Sequence, residues 1–324
     1  MPNHLTTSVA LPLLGAALFN SAIQTSRAQQ KPHTAVQSEM LVSTAWLEKR
    51  LDDRDLVVLQ IGRDRTQFDS GHIPGARFLW LDDIVEQHLE SLNELPSVTD
   101  LADVFAHLGV GERSRVVLVD DVGGVLAARA YFTLDYLGHG EQTALLDGGL
   151  TAWIAESRSL SKEQPAFPYA TFIPRVQQRI LISTAQMQRV SASAIAGSRE
   201  YVLLDARSVS EHTGLVQSEQ VSQPGHIAGS RSLYWKTLIG HGKDAHLLPE
   251  GELRRKFVDA GTGSAKSVIT YCRTGMQSSF TYFVAKYLGY EAAMYDGSIY
   301  EWVHTSGMPL VTSQQQGNAI ITPK

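Results

Sequence analysis

Short apolar runs alternate along this chain with longer stretches in which apolar residues recur at every third or fourth position. The runs at 56–61, 116–119, 143–146, 201–204, 268–271 and 292–295 lack the strict apolar–polar alternation of a half-exposed strand. They predict strands covered on both faces, as in a largely parallel sheet. From Ser278 onward, Phe280, Phe283, Val284, Tyr287 and Leu288 fall on one helical stripe, and Gly289 supplies a stop. Strands separated by helices predict an α/β fold, with mainly parallel sheets flanked by helices.

The pattern occurs twice. Gly71-His72-Ile73-Pro74-Gly75-Ala76-Arg77 returns as Gly225-His226-Ile227-Ala228-Gly229-Ser230-Arg231. Asp147-Gly148-Gly149-Leu150-Thr151-Ala152-Trp153 returns as Asp296-Gly297-Ser298-Ile299-Tyr300-Glu301-Trp302. Tyr131-Phe132 ahead of Tyr136-Leu137-Gly138 returns as Tyr282-Phe283 ahead of Tyr287-Leu288-Gly289. The order is kept at an offset of about 150 residues, too long for a solenoid repeat and right for a duplicated domain. The expected domains are 38–157 and 181–313, followed by a tail at 314–324. The linker at 158–180 contains Pro165, Pro168 and Pro174 and has little periodicity, so it reads as an extended surface segment.

Composition agrees with two globular domains. The chain has 324 residues, of which 43% are apolar and 19% charged, with a net charge of −5, so it buries too much and repels too little to be disordered. Lys plus Arg number 28 against 33 Asp plus Glu, which leaves no basic excess to hold nucleic acid. A single cysteine excludes an internal disulfide and any zinc site built on several thiolates. Residues 9–19 form an apolar run well short of the about 20 residues that a membrane-spanning helix needs. With Ser26-Arg27-Ala28 as a cleavage site, residues 1–28 read as a signal peptide, although Met1-Pro2-Asn3-His4 lacks the usual positive charge. The expectation is a periplasmic or secreted protein with no membrane association in its mature form. The alternative is a cytoplasmic protein with an N-terminal extension.

The cysteine lies where chemistry is expected. A strand at 267–271 leads into Cys272-Arg273-Thr274-Gly275-Met276-Gln277 and then into the helix near Ser278. In open α/β sheets, ligands bind at the carboxyl ends of strands. Unpaired N–H groups at the helix start, the helix dipole and a loop curling round the sulfur would all favour thiolate over thiol. Arg273 adds a neighbouring cation, and Gly275 permits the turn. A lone cysteine is usually a small buried hydrophobe, but this context makes Cys272 a candidate nucleophile.

These motifs resemble the rhodanese superfamily, in particular its tandem-domain sulfurtransferases of the bacterial thiosulfate type. The resemblance rests on the two Gly-His-Ile segments, Asp205-Ala206-Arg207 at a strand end, the Cys-Arg-x-Gly loop and the closing Asp-Gly-Ser-x-x-x-Trp. It implies a structural first domain and a catalytic second one. Aligning the repeats on Gly124 and Gly275 places Asp121 opposite Cys272. The implied reaction passes sulfane sulfur from thiosulfate to Cys272 and then to cyanide, a thiol or a dithiol protein, with no metal or organic cofactor. The residues implied to bind substrate are Arg273, Thr274, Gly275, Met276 and Gln277, with Asp205 and Arg207 as an ion pair supporting the loop. Arg273 favours thiosulfate over 3-mercaptopyruvate, because its fork of donors suits a sulfonate. Met276-Gln277 departs from the common Val-Thr ending, Thr274 replaces a lysine of some members, and Glu211 stands where animal members carry a substrate-binding arginine. The alternatives are 3-mercaptopyruvate sulfurtransfer and a non-catalytic persulfide carrier or redox sensor.

The remaining candidates read as structural. His72 and His226 occur in both copies, including the one without cysteine, and therefore read as turn-stabilising. Trp235, Tyr300 and Trp302 read as core by default. Gly240-His241-Gly242-Lys243 lacks the spacing of a phosphate loop. A cysteine phosphatase would need arginine at the position of Ser278.

Overall fold

The computed structural model describes residue 1 and residues 35–313, apart from 90, 165, 219, 222, 241–244, 265–266, 305–306 and 308. The expected signal peptide, the C-terminal tail and most of the Gly240–Lys243 stretch lie outside the described residues. In the first domain the elements are β1 (Leu41–Val42), α1 (Thr44–Glu48), β2 (Leu56–Gly62), α2 (Thr66–Ser70), β3 (Arg77–Trp80), β4 (Glu86–Gln87), β5 (Leu92–Glu94), α3 (Val98–His107), β6 (Arg115–Val119), α4 (Val125–Tyr136), β7 (Thr143–Leu146) and α5 (Gly149–Ala155). The second domain contains α6 (Thr184–Ile195), β8 (Tyr201–Asp205), α7 (Val209–Thr213), β9 (Arg231–Ser232), α8 (Glu250–Asp259), β10 (Ser267–Tyr271), α9 (Met276–Tyr287), β11 (Glu291–Met294) and α10 (Ser298–His304). Among the described residues, no helix is long and apolar enough to cross a membrane.

The two halves repeat one topology. The first sheet has the order β1-β7-β6-β2-β3 and the second β11-β10-β8-β9, every pair parallel. Leu181 bridges Met294 in parallel, in the place that β1 takes beside β7. Each apolar run read from the sequence falls on a strand, overhanging it at most by one residue. The short strands β1, β3 and β9 and the antiparallel hairpin β4–β5 were not anticipated, because two to four residues carry no readable period. Helix α9 begins at Met276 rather than Ser278, so Met276 and Gln277 belong to its first turn and not to the loop. The polar Gln277 hides the apolar period at that end.

Packing fuses the domains. In β2, Leu59 and Val57 face one apolar cluster while Val58 between them faces another. The first of these clusters runs without a break through both domains, from Leu59, Phe105 and Phe132 to Leu204, Phe257 and Phe283. Helices α4 and α9 meet at its centre. Tyr131 packs edge-on against Phe283 at 5.0 Å, and Phe132 against Tyr282 at 5.1 Å, geometries that aromatic quadrupoles favour. Helix α4 is buried almost all round, as a helix crossing the middle of a core must be. Its Asp135 accepts hydrogen bonds from the Tyr282 hydroxyl and Lys286 across the boundary.

The linker is extended and tied down. The Ser161 backbone pairs with His72, the Ala170 N–H donates to Ala106 O at 3.0 Å, and the Arg175 N–H to Leu137 O at 2.7 Å. Phe172 is buried against Phe105.

A core shared by both halves makes one cooperative unit. Phe283→Ala is expected to lower stability by about 3–5 kcal/mol, the usual cost of removing a buried aromatic ring, with fluorescence and circular dichroism shifting together in urea. Separate transitions for the two domains would contradict the shared core.

Candidate active site

Strand β10 delivers Cys272 at its carboxyl end, one residue beyond Tyr271, which pairs with Asp205 of β8. Gly275, with φ +84°, turns the chain into α9. A Cβ at Gly275 would lie 2.4 Å from Asp296 Oδ1, so both the backbone angle and the space demand glycine. Ser298, itself at φ +54°, braces the loop from α10. Its hydroxyl accepts the N–H of Cys272 at 3.1 Å and of Gly275 at 3.2 Å, and donates to Tyr295 O at 2.9 Å. Among the described residues, the N–H groups of Arg273, Thr274, Met276 and Gln277 have no protein acceptor. Cys272 is 1% exposed, and Ser278 Oγ lies 3.5 Å from its sulfur. The arrangement is a turn of N–H groups, unclaimed among the described residues, beside a buried thiol.

The first domain shows what such a loop holds. Leu150 N–H donates to Asp120 O at 2.9 Å, as Ile299 N–H donates to Cys272 O at 3.2 Å. Asp120 therefore stands where Cys272 does, and the expected equivalence of Asp121 is corrected. The first loop has one more residue before its glycine, so an alignment anchored on Gly124 slips by one. Asp121 is exposed, whereas Asp120 is buried. The Asp120 carboxylate accepts N–H groups from Val122 at 3.1 Å, Gly124 at 2.7 Å, Leu126 at 2.8 Å and Ala127 at 2.9 Å. The first domain fills its turn with its own carboxylate.

Three arginines surround the cysteine loop, and each meets a carboxylate. Arg207 binds Asp205 through Nη2 at 2.6 Å and Nε at 3.0 Å, and also donates to Gly225 O at 2.8 Å. Burial pushes the Asp205 carboxyl up, but the charge of Arg207 and a hydrogen bond from His212 overcome this and bring it down to about 2. His212 stacks on His226 at 3.9 Å, and His226 Nδ1 meets His212 O at 2.7 Å. In the other domain, His72 bridges Phe68 O and Glu163 O, both at 2.9 Å, and stacks on Phe68. Both histidines thus join backbone segments.

Arg273 donates from Nη2 to Glu211 Oε1 at 2.7 Å. Ser208, the N-cap of α7, holds the other Glu211 oxygen at 2.9 Å. Burial pushes the Glu211 carboxyl up, yet hydrogen bonds from Arg273 and Ser208 leave it below its usual range. The arginine expected to meet the donor is already engaged.

The third arginine comes from the first domain. Arg129 of α4 is fully buried, and both terminal nitrogens bind Asp296, with Nη2 also donating to Asn93 O. Leu95 N–H reaches Asp296 Oδ2 at 3.2 Å, and Asn93 Nδ2 donates to Thr274 Oγ1 at 2.9 Å. The loop is thus held from both domains: Asp296 packs on Gly275, and the hairpin β4–β5 anchors Thr274. Trp302 is buried with Nε1 on Pro309 O, Trp235 is buried against Phe280, and Tyr300 is half-buried with its hydroxyl on Leu89 O.

Sequence reasoning gave no such role to Arg129, Asn93, Ser278 or Ser298. Arg129 left a signal as a charge in a largely apolar helical stretch, and Ser298 as part of the closing Asp-Gly-Ser-x-x-x-Trp motif.

A family model for the rhodanese-like domain matches residues 43–156 and 190–305. The sulfur carrier protein TtuD of Thermus thermophilus is 30% identical over 287 residues, covering 86% of this chain and 98% of that protein. A thiosulfate sulfurtransferase of Corynebacterium glutamicum is 31% identical over 303 residues, covering 87% and 93%. The fold also matches the anaerobic ergothioneine biosynthesis enzyme from Chlorobium limicola, with a TM-score of 0.73 at 20% identity, over 85% of this chain and 71% of that one. The chain belongs to the rhodanese sulfurtransferase family and carries two rhodanese-like domains in tandem.

Two outcomes follow from the ion pairs. Arg129→Met strands a buried Asp296 carboxylate and is expected to cost about 3–5 kcal/mol. Adding Asp296→Leu should recover part of that loss, and equal stability of the single and double variants would contradict the pairing. For Asp205, the folded carboxyl near 2 lies below the ordinary 3.8. Its stabilisation is therefore complete above about pH 4 and lost as pH falls toward 2, a limb worth roughly 2 kcal/mol. Denaturation between pH 2 and 5 should show this limb in the native protein and not in Asp205→Asn.

Proposed function

We propose that this protein transfers sulfane sulfur from thiosulfate to a thiophilic acceptor through a persulfide on Cys272. The observation that carries the reading is the loop itself: one cysteine at a strand end, beside four N–H groups with no acceptor among the described residues. Cys272 thiolate attacks the outer sulfur of thiosulfate. A new S–S bond forms, the old one breaks, and sulfite leaves with the electron pair. An acceptor nucleophile (cyanide or a thiol) then attacks the outer sulfur and returns Cys272 as thiolate. This is covalent catalysis in two half-reactions. The N–H groups of Arg273, Thr274, Met276 and Gln277 would take up the negative charge of the outer sulfur, a preorganised electrostatic role. In the same kind of turn the Asp120 carboxyl accepts four N–H groups, which oppose the upward push of its burial without cancelling it.

A second reading is a sulfur carrier, favoured by the likeness to the Thermus thermophilus protein. The same persulfide would then be discharged once to a protein acceptor. We also read residues 1–28 as a cleaved export signal. Mature protein beginning at Gln29 in a periplasmic or secreted fraction is the expected finding, and mature protein retaining Met1 would overturn it.

Incubation with thiosulfate should add the mass of one sulfur atom to the intact protein, and cyanide should remove it. Cys272→Ser should show neither change, and a mass gain in that variant would refute the assignment. Sustained thiocyanate production would support the enzyme, and a single turnover the carrier. Arg273→Gly is expected to weaken thiosulfate use more than 3-mercaptopyruvate use, with equal losses contradicting the donor assignment.

A further inference from the structure

Glu211 plays no part in the chemistry above, yet it is the closest charged partner of the arginine in the cysteine loop, at 2.7 Å. Its carboxylate cannot swing away freely. Ser208 Oγ accepts the Glu211 N–H at 3.3 Å and holds Oε2 at 2.9 Å, so backbone and side chain are both fixed to the start of α7. Arg129 and Arg207 are also matched, to Asp296 and Asp205. Glu94 on β5 adds a further carboxyl, half-buried, which burial and then the charges of Asp296 and Glu301 push up. A doubly negative donor therefore approaches arginines whose charge is already balanced.

Arg273 is not wholly consumed. Its side chain is 32% exposed, so part of the guanidinium faces solvent, while its Nε is buried and has no partner among the described residues. It can still donate to one oxyanion group while Nη2 stays on Glu211. A second negative charge on the same donor would meet Glu211, with the loop N–H groups already engaged by the outer sulfur.

We propose that Glu211 tunes donor specificity by donor charge: paired to Arg273, it lowers the advantage that doubly negative thiosulfate would otherwise have at the loop over singly negative sulfane donors such as organic thiosulfonates. The proposal rests on the sulfurtransferase reading and names its substrate class. The residue acts through Arg273 and not on the reacting sulfur.

The test compares kcat/KM for thiosulfate and for methanethiosulfonate, which carry the same sulfane sulfur on two charges and on one, with cyanide as acceptor. In Glu211→Gln, which keeps the shape and loses the charge, the thiosulfate-to-methanethiosulfonate ratio is expected to rise about tenfold, equivalent to about 1.4 kcal/mol, chiefly through a lower KM for thiosulfate. In Glu211→Asp, which keeps the charge, the ratio should stay near the native value. In the native protein the ratio should rise with salt, because screening weakens the repulsion; this arm needs no variant to fold. An unchanged ratio in Glu211→Gln, or equal losses on both donors, would overturn the proposal and leave Glu211 a structural brace. Intact-mass measurement on the same samples separates the two levels. Sulfur loading of Cys272 with an unchanged ratio overturns the charge filter alone, whereas no loading from either donor overturns the sulfurtransferase reading and the filter with it.

Discussion

A turn that aims several backbone N–H groups at one point must be filled by something negative or by water, since buried donors without acceptors are costly. Both halves of this chain build such a turn, between a central parallel strand and a helix. In the first half the Asp120 carboxylate fills it with four hydrogen bonds. In the second half the corresponding residue is Cys272, and four N–H groups have no acceptor among the described residues, where the proposed reaction would bring a charge. One architecture thus serves as a closed structural joint in one domain and as an open site in the other.

The cysteine-free half takes part in shaping that site. Its helix α4 supplies the buried Arg129 that positions Asp296 against Gly275, and its hairpin β4–β5 supplies Asn93 to Thr274. The Arg129–Asp296 pair lies at the same α4–α9 boundary as the aromatic contacts that join the two cores. Packing of the domains and geometry of the loop are therefore one problem. The loop that carries Cys272 is braced by side chains of both copies.

How much of this the sequence disclosed follows from distance along the chain. The duplicated fold, the strand runs and the strand–loop–helix setting of Cys272 are local patterns, and they could be read. The Asp205–Arg207 pair spans two residues and was equally legible. Arg129–Asp296 spans 167 residues and Asn93–Thr274 spans 181, and no local period encodes either. The Asp121 assignment failed for a related reason. The glycines of the two loops align, but the strands set the register, and the first loop has one residue more. Glu211 was visible as a missing cation, while its bond to Arg273 needed the fold to bring α7 beside the cysteine loop.

The most direct test of the central claim is a crystal structure of the protein after loading with thiosulfate. The outer sulfur is expected to be bonded to Cys272 Sγ and to lie within hydrogen-bonding reach of the N–H groups of Arg273, Thr274, Met276 and Gln277. An outer sulfur pointing away from these groups into solvent, or sulfur bound elsewhere than on Cys272, would contradict it.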